Sequence, residues 1–319
     1  MASVRVRALA KINLDLRVLN KRPDGFHDLR TIFQTISLAD TIEIAYQRGR
    51  TRIEARSNVE ISDNLMVKAA ERVLKATRST GRIDMVLTKR IPMGAGLGGG
   101  SSDAAAVLLA LPVLLKRAVP MEKLLEIAAS LGSDVPFFLL GGTAVGLGRG
   151  TDLFPLPDLS GFPALLITPG IHVSTADAYS ALDRPRGPEI DSAVLKDFEG
   201  VTWSIAQARP AADWAVENHF EQVVFPQYPQ LKSIKGKLLK LGARPALMSG
   251  SGSTIFGIFL NRQLRDGAAM WFNREFGANK VQPVTLVSRS RYRALWQRRL
   301  DIPSDRMIWQ SQPQDRYAK

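Results

Sequence analysis

The chain has 319 residues, 45% hydrophobic and 23% charged, which suits one large soluble domain or two ordinary ones with an ample core. With no cysteine it has no disulfide, no thiolate metal site and no cysteine nucleophile, and its net charge of +13 raises the question of an anionic partner. No apolar run is long enough to span a bilayer and Met1 to Arg7 lacks a signal-peptide core, so a cytoplasmic protein with no membrane partner is expected.

In chain order, residues 4–18 alternate like a β-strand, with Lys11, Asn13 and Asp15 on one face and Ile12, Leu14 and Leu16 on the other. Polar residues at that period predict an edge strand with a solvated face; an interior position would require partners or a ligand. Arg22, Pro23, Asp24 and Gly25 form a turn signal. Phe26 and His27 follow it; a lone histidine there reads as a packed or solvated residue or, with the aromatic beside it, as part of a pair that could sandwich and hydrogen-bond a planar base. Further strand patterns cover 28–36 and 40–44. Ser62, Asp63 and Asn64 cap a helix that should stop near Gly81, and residues 82–89 read as a strand that ends at Lys89.

That strand feeds Pro92, Met93, Gly94, Ala95, Gly96, Leu97, Gly98, Gly99, Gly100, Ser101, Ser102 and Asp103, followed by an alanine-rich helix former. Glycines permit positive φ and a close approach of backbone N–H groups to an anion. A helix N-terminus directly behind them adds unpaired N–H groups and the positive end of the helix dipole. Ser101 or Ser102 is the expected N-cap, with Asp103 in the first turn. The loop reads as a nucleotide phosphate site. It lacks the Gly-Lys-Ser/Thr ending of a P-loop, and it comes too late in the chain for the first turn of a dinucleotide fold. Lys89, three residues ahead of Pro92, is close enough to lie beside the nucleotide.

Pro120 opens another helix, through Leu131, that ends at Gly132. Asp134 lies between that glycine and a wholly apolar stretch; it reads either as a cap or turn residue or as a buried acid that must be paired with a cation. Residues 141–150 look like a glycine-interrupted strand and turn, and the proline-rich run 154–163 is the best domain boundary. Beyond it come a buried strand at 164–168, a capped helix starting around Ser174 and Thr175, and a loop over 184–188. A helix from Pro229 to about Leu241 precedes a small Gly/Ser loop, Met248 to Ser253, between two apolar strands. From Arg289 to Lys319 eight Lys/Arg face three Asp, with Trp296 and Trp309 among them, and a solvated, peripheral terminal helix is expected there. Elsewhere the basic residues are scattered, which speaks against a nucleic-acid partner and suits attraction of a polyphosphate. No metal-ligand cluster is apparent.

The Lys11 strand, the Pro92–Asp103 loop and the Met248–Ser253 loop, in that order, resemble the three motifs of the GHMP small-molecule kinases. The strings at 10–14, 22–27, 33–34, 40–42, 63–65, 131–138 and 223–229 resemble more specifically the branch that acts on a cytidine-diphosphate-linked methylerythritol in non-mevalonate isoprenoid synthesis. The resemblance covers residues 8–260 and implies a two-domain α/β (α+β) fold with the active site in the interdomain cleft. It implies an S5-like nucleotide domain over 1–158 and a ferredoxin-like substrate domain over 159–288; the basic tail over 289–319 lies outside the resemblance. The implied activity transfers the γ-phosphoryl of ATP, with Mg²⁺, to the 2-hydroxyl of that substrate. Asp134 would be the base and Lys11 its cationic partner; the loop from Pro92 to Ser102 would clamp the phosphates, and Asn64 and Lys89 would hold adenine. Asn13 and Thr175 would contact the methylerythritol hydroxyls, and His27 would read cytosine between Phe26 and Tyr179. Phe26 stands where that branch commonly has tyrosine, which keeps stacking and loses a hydroxyl. The expected assembly is a monomer or weak homodimer. Another GHMP kinase, acting on homoserine, mevalonate or a sugar, and an RNA-binding protein are the rival readings.

Overall fold

The computed structural model describes residues 2–182, 192–207 and 214–300. The chain opens with a long hairpin of β1 (Ala2–Lys21) and β2 (His27–Arg48). At its tip Gly25 has φ +86°, the Arg22 N–H donates to the Phe26 carbonyl at 2.7 Å, and Asp24 Oδ1 accepts the Phe26 N–H at 3.1 Å. The two strand patterns at 28–36 and 40–44 are thus parts of one strand. With β3 (Arg52–Ser57), β4 (Gly81–Thr88), β5 (Thr143–Leu147) and β6 (Asp152–Pro155), the hairpin forms a six-stranded sheet in which only the β3–β4 pair is parallel.

Helices α1 (Leu65–Thr77), α2 (Gly99–Leu114), α3 (Met121–Leu131) and α4 (Val135–Leu140) share one hydrophobic core with this sheet. Helix α1 buries Met66, Ala69, Ala70, Val73 and Leu74, the spacing of one helical face, and Asn64 caps it by accepting the Met66 N–H at 3.0 Å. It stops at Arg78 in the left-handed region, ahead of the expected Gly81. Helix α2 is buried from Ser102 to Pro112, as an apolar stripe without a polar face requires. It starts earlier than expected: Gly98 at φ +69° is the N-cap, and Ser101 and Ser102 lie inside the first turn.

The second sheet, in the order β10 (Val281–Thr285), β7 (Pro163–Ile167), β9 (Ile255–Ile258), β8 (Ala246–Met248), is wholly antiparallel. One face packs on α5 (Thr175–Ala181), α7 (Glu221–Gln227), α8 (Pro229–Lys240) and α9 (Arg262–Phe276). The other joins Ala10, Ile12 and Leu14 of β1 and Phe198, Val201 and Ile205 of α6 (Ser192–Ala206) in a third core between the sheets. The expected loop at 184–188 falls outside the described residues.

Two further expectations fail. First, β1 is an edge by strand pairing but is buried on both faces, with Lys11, Asn13, Asp15 and Arg17 at 3% exposure or less. Its free edge is covered by the C-terminal half: Leu16 N–H donates to the Glu217 carbonyl at 2.8 Å, and His219 N–H to the Leu16 carbonyl at 2.9 Å. A bulge between Asn13 and Asp15 also reverses the side-chain parity. Asp15 therefore pairs with Arg17 at 3.0 Å, away from Lys11 and Asn13, and Leu16 takes its place on their face. Second, α10 (Arg289–Leu300) is no solvated helix: Tyr292, Trp296 and Leu300 are buried in the core of the first sheet. Trp309 lies outside the described residues.

Candidate active site

The β4 exit, the glycine loop and the α2 N-terminus converge between the sheets. Gly94, Gly96 and Gly98 all have positive φ, so a side chain at any of them is strained. Gly96 also lies against the Ser249 carbonyl, leaving no room for a Cβ. The Met248–Ser253 loop thus locks onto the glycine loop: Ser249 Oγ donates to the Gly96 carbonyl at 2.9 Å, and Asn218 Nδ2 holds the Met248 and Gly250 carbonyls at 2.7 and 2.8 Å. Lys11 N–H donates to the Leu97 carbonyl at 3.0 Å, pinning the loop to β1.

The loop is a wall between two cavities. The larger, about 850 Å³, takes in Lys11, Asn13, Phe26, His27, Asp134, Thr175 and Tyr179. The smaller, about 330 Å³, takes in Asn64, Lys89 and the run Pro92, Met93, Gly94, Ala95, Gly96, Leu97, Gly98, Gly99, Gly100 and Ser101. Gly94, Gly96, Gly98 and Ser101 line both.

In the larger cavity Lys11 Nζ sits 3.2 Å from Asp134 Oδ2, donates to Asn13 Oδ1 at 2.7 Å and stands 5.4 Å from the Phe33 ring centre. Asn13 Nδ2 donates to Thr31 Oγ1 at 2.8 Å, and Thr31 Oγ1 to the Asp15 carbonyl at 2.7 Å. This chain fixes the ammonium, 4% exposed, while the carboxylate, 33% exposed, still opens to the cavity. Asp134 begins α4 yet makes no side-chain cap, so it stays available.

Further along the cavity, His27 stacks on Tyr179 at 4.9 Å and 17°, and Tyr179 meets Phe220 edge-on. Burial, then the Asp134 charge, pushes the Tyr179 phenol up to about 12. Phe26 is exposed, and its ring is covered by the Arg149 guanidinium at 3.5 Å. Thr175 Oγ1 hydrogen-bonds with Ser251 Oγ at 2.8 Å.

Some expected residues are differently engaged. Ser102 lines neither cavity; its hydroxyl donates to the Leu9 carbonyl at 2.7 Å, because the helix already encloses it. Lys89 borders the smaller cavity, but its ammonium is held by Asp40 and Asp103. Asn64 Oδ1 is used as the α1 cap, leaving the amide NH₂. The sequence reading missed Arg149, Thr31 and Asp40. Glycines on both sides of Arg149 were the one local sign that its backbone must turn sharply beside something. Among the described residues no group of three or more His, Asp or Glu could hold a metal, and no helix is long and apolar enough to cross a membrane.

Residues 64–142 match the family model of the GHMP kinases N terminal domain, and 205–277 that of the GHMP kinases C terminal domain. A 4-diphosphocytidyl-2-C-methyl-D-erythritol kinase of Solibacter usitatus is 54% identical over 310 residues, covering 95% of both chains. One from Citrifermentans bemidjiense is 38% identical, over 81% of this chain and 90% of its own. Among solved structures, a 4-(cytidine 5'-diphospho)-2C-methyl-D-erythritol kinase is 37% identical with a TM-score of 0.72, covering 88% of this chain and 98% of its own. A homoserine kinase from Cytophaga hutchinsonii shares the fold, with a TM-score of 0.71 at 21% identity, covering 90% of this chain and 95% of its own. The chain belongs to the GHMP kinases and, within them, to the 4-diphosphocytidyl-2-C-methyl-D-erythritol kinase family.

Proposed function

We propose that this enzyme transfers the γ-phosphoryl of ATP to the 2-hydroxyl of 4-diphosphocytidyl-2-C-methyl-D-erythritol, yielding the 2-phosphate and ADP for isoprenoid precursor synthesis. The observation that carries the proposal is the shared wall: Gly94, Gly96 and Gly98, which border the smaller cavity, also border the larger one, where Lys11 and Asp134 meet. Adenosine occupies the smaller cavity beside Asn64 and Lys89, and the phosphates pass along the Pro92–Ser101 backbone to the larger. Loop N–H groups and the α2 dipole hold the phosphates and favour the charge that develops during transfer. Mg²⁺ would come with the nucleotide, held chiefly by phosphate oxygens and water in keeping with its reluctance to dehydrate, and would neutralise phosphate charge.

Asp134 is the general base. A tertiary alcohol is a poor nucleophile, and a carboxylate must take its proton as it attacks. Lys11, paired with Asp134 at 3.2 Å, stabilises charge on the attacking oxygen. Asn13 and Thr175 orient the methylerythritol hydroxyls. His27 reads the cytosine edge, and Phe26 and Tyr179 flank the base. Since His27 now lies on the Tyr179 face, seating the base requires the imidazole to swing off that ring.

The units 1–158 and 159–288 act as nucleotide and substrate halves, and the protein works in the cytoplasm as a monomer or weak homodimer without a nucleic-acid partner. Its +13 charge concentrates polyphosphates around it. A coupled assay of ADP release tests the reaction. The cytidylylated substrate should stimulate release strongly, with homoserine, mevalonate and galactose at background; stimulation by one of those three instead would reassign the acceptor.

A further inference from the structure

A buried ion cluster beneath the glycine loop is left over by this chemistry. Asp40 Oδ1 accepts the backbone N–H of Arg90 at 2.5 Å and of Ile91 at 2.8 Å, the two residues that lead into the loop. Its other oxygen takes the Lys89 ammonium, and Lys89 Nζ also donates to Asp103 Oδ2 at 2.9 Å. The three side chains are 0, 5 and 4% exposed. The cluster ties β2, the β4 exit and the first turns of α2 together where the loop begins and ends. A Cβ on Gly99 would stand 2.6 Å from Lys89 Nζ, so the ammonium lies directly under the loop.

Two carboxylates share one ammonium here, nearly buried, with Lys89 and Asp103 bordering the smaller cavity. Fully ionised, the cluster carries one net negative charge under a site built for anions. The other charged groups nearby do not offset it. Asp63, on the rim of the smaller cavity, is paired with Lys68 in solvent, and Arg90 contributes its main-chain N–H while its side chain is exposed. Asp103 Oδ1 is buried with no hydrogen-bond partner among the described residues, a costly state for a carboxylate oxygen.

We propose that Asp40 and Asp103 are positioning residues for the nucleotide, and that their cluster takes up a proton when a polyphosphate seats on the loop above it. The inference rests on the reading that this loop holds nucleotide phosphates. A polyphosphate above a buried negative charge is repelled, and a proton on Asp103 removes that repulsion while leaving the Lys89–Asp40 tether intact. Burial, only partly offset by Lys89, already lifts Asp103 to about 7, so the proton is available at neutral pH. Nucleotide affinity should therefore be insensitive to pH below that value and fall as pH rises above it.

Calorimetry on the full chain at pH 7.5 counts the protons exchanged when the magnesium complex of a non-hydrolysable ATP analogue binds, using two buffers of different ionisation enthalpy. The wild type should take up a clear fraction of a proton more than Asp103→Asn, whose amide cannot titrate. In turnover, the wild-type KM for ATP should rise about three- to tenfold from pH 6.5 to 8.5 while that of Asp103→Asn stays within about twofold. The KM for the cytidine substrate should show no such difference between the two proteins. Asp40→Asn, which weakens the anchor on Arg90 and Ile91, should raise the KM for ATP across the whole range. Equal proton uptake in wild type and Asp103→Asn, or none in the wild type alone, overturns the proposal. A wild type that binds no nucleotide overturns the reading of the loop, and the proposal with it.

Discussion

His27 and Asp103 illustrate two ways a single side chain reports on its surroundings. His27 lies against Tyr179 in the larger cavity and does not border the smaller one. If it reads the cytosine edge, His27→Ala should raise the KM for the cytidine substrate about tenfold or more and leave the KM for ATP nearly unchanged. Equal effects on both in initial-rate kinetics would count against cytosine recognition. Asp103 at about 7 and Asp15 at about 6 both lie above the ordinary carboxylate value of 3.8, raised chiefly by burial. The native state therefore binds more protons than the unfolded chain between pH 4 and 7. The stability these groups confer is complete below about pH 4 and is lost as pH rises through 6 and 7. Asp103→Asn should flatten the upper part of that decline by a few degrees in Tm, read from thermal melts between pH 5 and 8. A melt series parallel to the wild type would contradict the assignment.

Among the elements, β1 and α10 depart most from what their sequences suggest. The β1 pattern promised one polar face, but a bulge at Leu14 splits it, sending Lys11 and Asn13 to the cleft and Asp15 with Arg17 to the opposite side. Strand period was legible; the inserted residue was not, because it is set by pairing with β2 and leaves no local mark. The glycine loop was legible almost whole, since positive φ, strand exit and helix start are all local demands. The Lys11–Asp134 pair spans 123 positions, and periodicity could not bring it together; only the likeness to known kinases did. In α10, Tyr292, Trp296 and Leu300 form an i, i+4, i+8 stripe that was visible but outweighed by the arginines around it. Because that stripe completes the first core, Trp296→Ala should destabilise the protein by about 3–5 kcal/mol in urea unfolding. A loss under about 1 kcal/mol would mean that α10 is peripheral after all.

Across the whole molecule, two sheets close on a third core that runs through Ala10, Ile12 and Leu14, so the strand that carries Lys11 is itself the seam between the halves. The Met248–Ser253 loop reaches over from the second sheet to brace the glycine loop, which makes both halves necessary to the geometry of one site. In the proposed mechanism the acid of the larger cavity and the nucleotide of the smaller one lie on either side of the glycine loop, whose Gly94, Gly96 and Gly98 border both. The most direct check is single-turnover phosphoryl transfer by Asp134→Asn alongside equilibrium binding of a non-hydrolysable ATP analogue. Transfer to the cytidylylated alcohol should fall by about 10²–10⁴-fold with nucleotide affinity kept within about threefold. Transfer within tenfold of wild type would mean that the proton leaves by another route and that the ammonium–acid pair is structural.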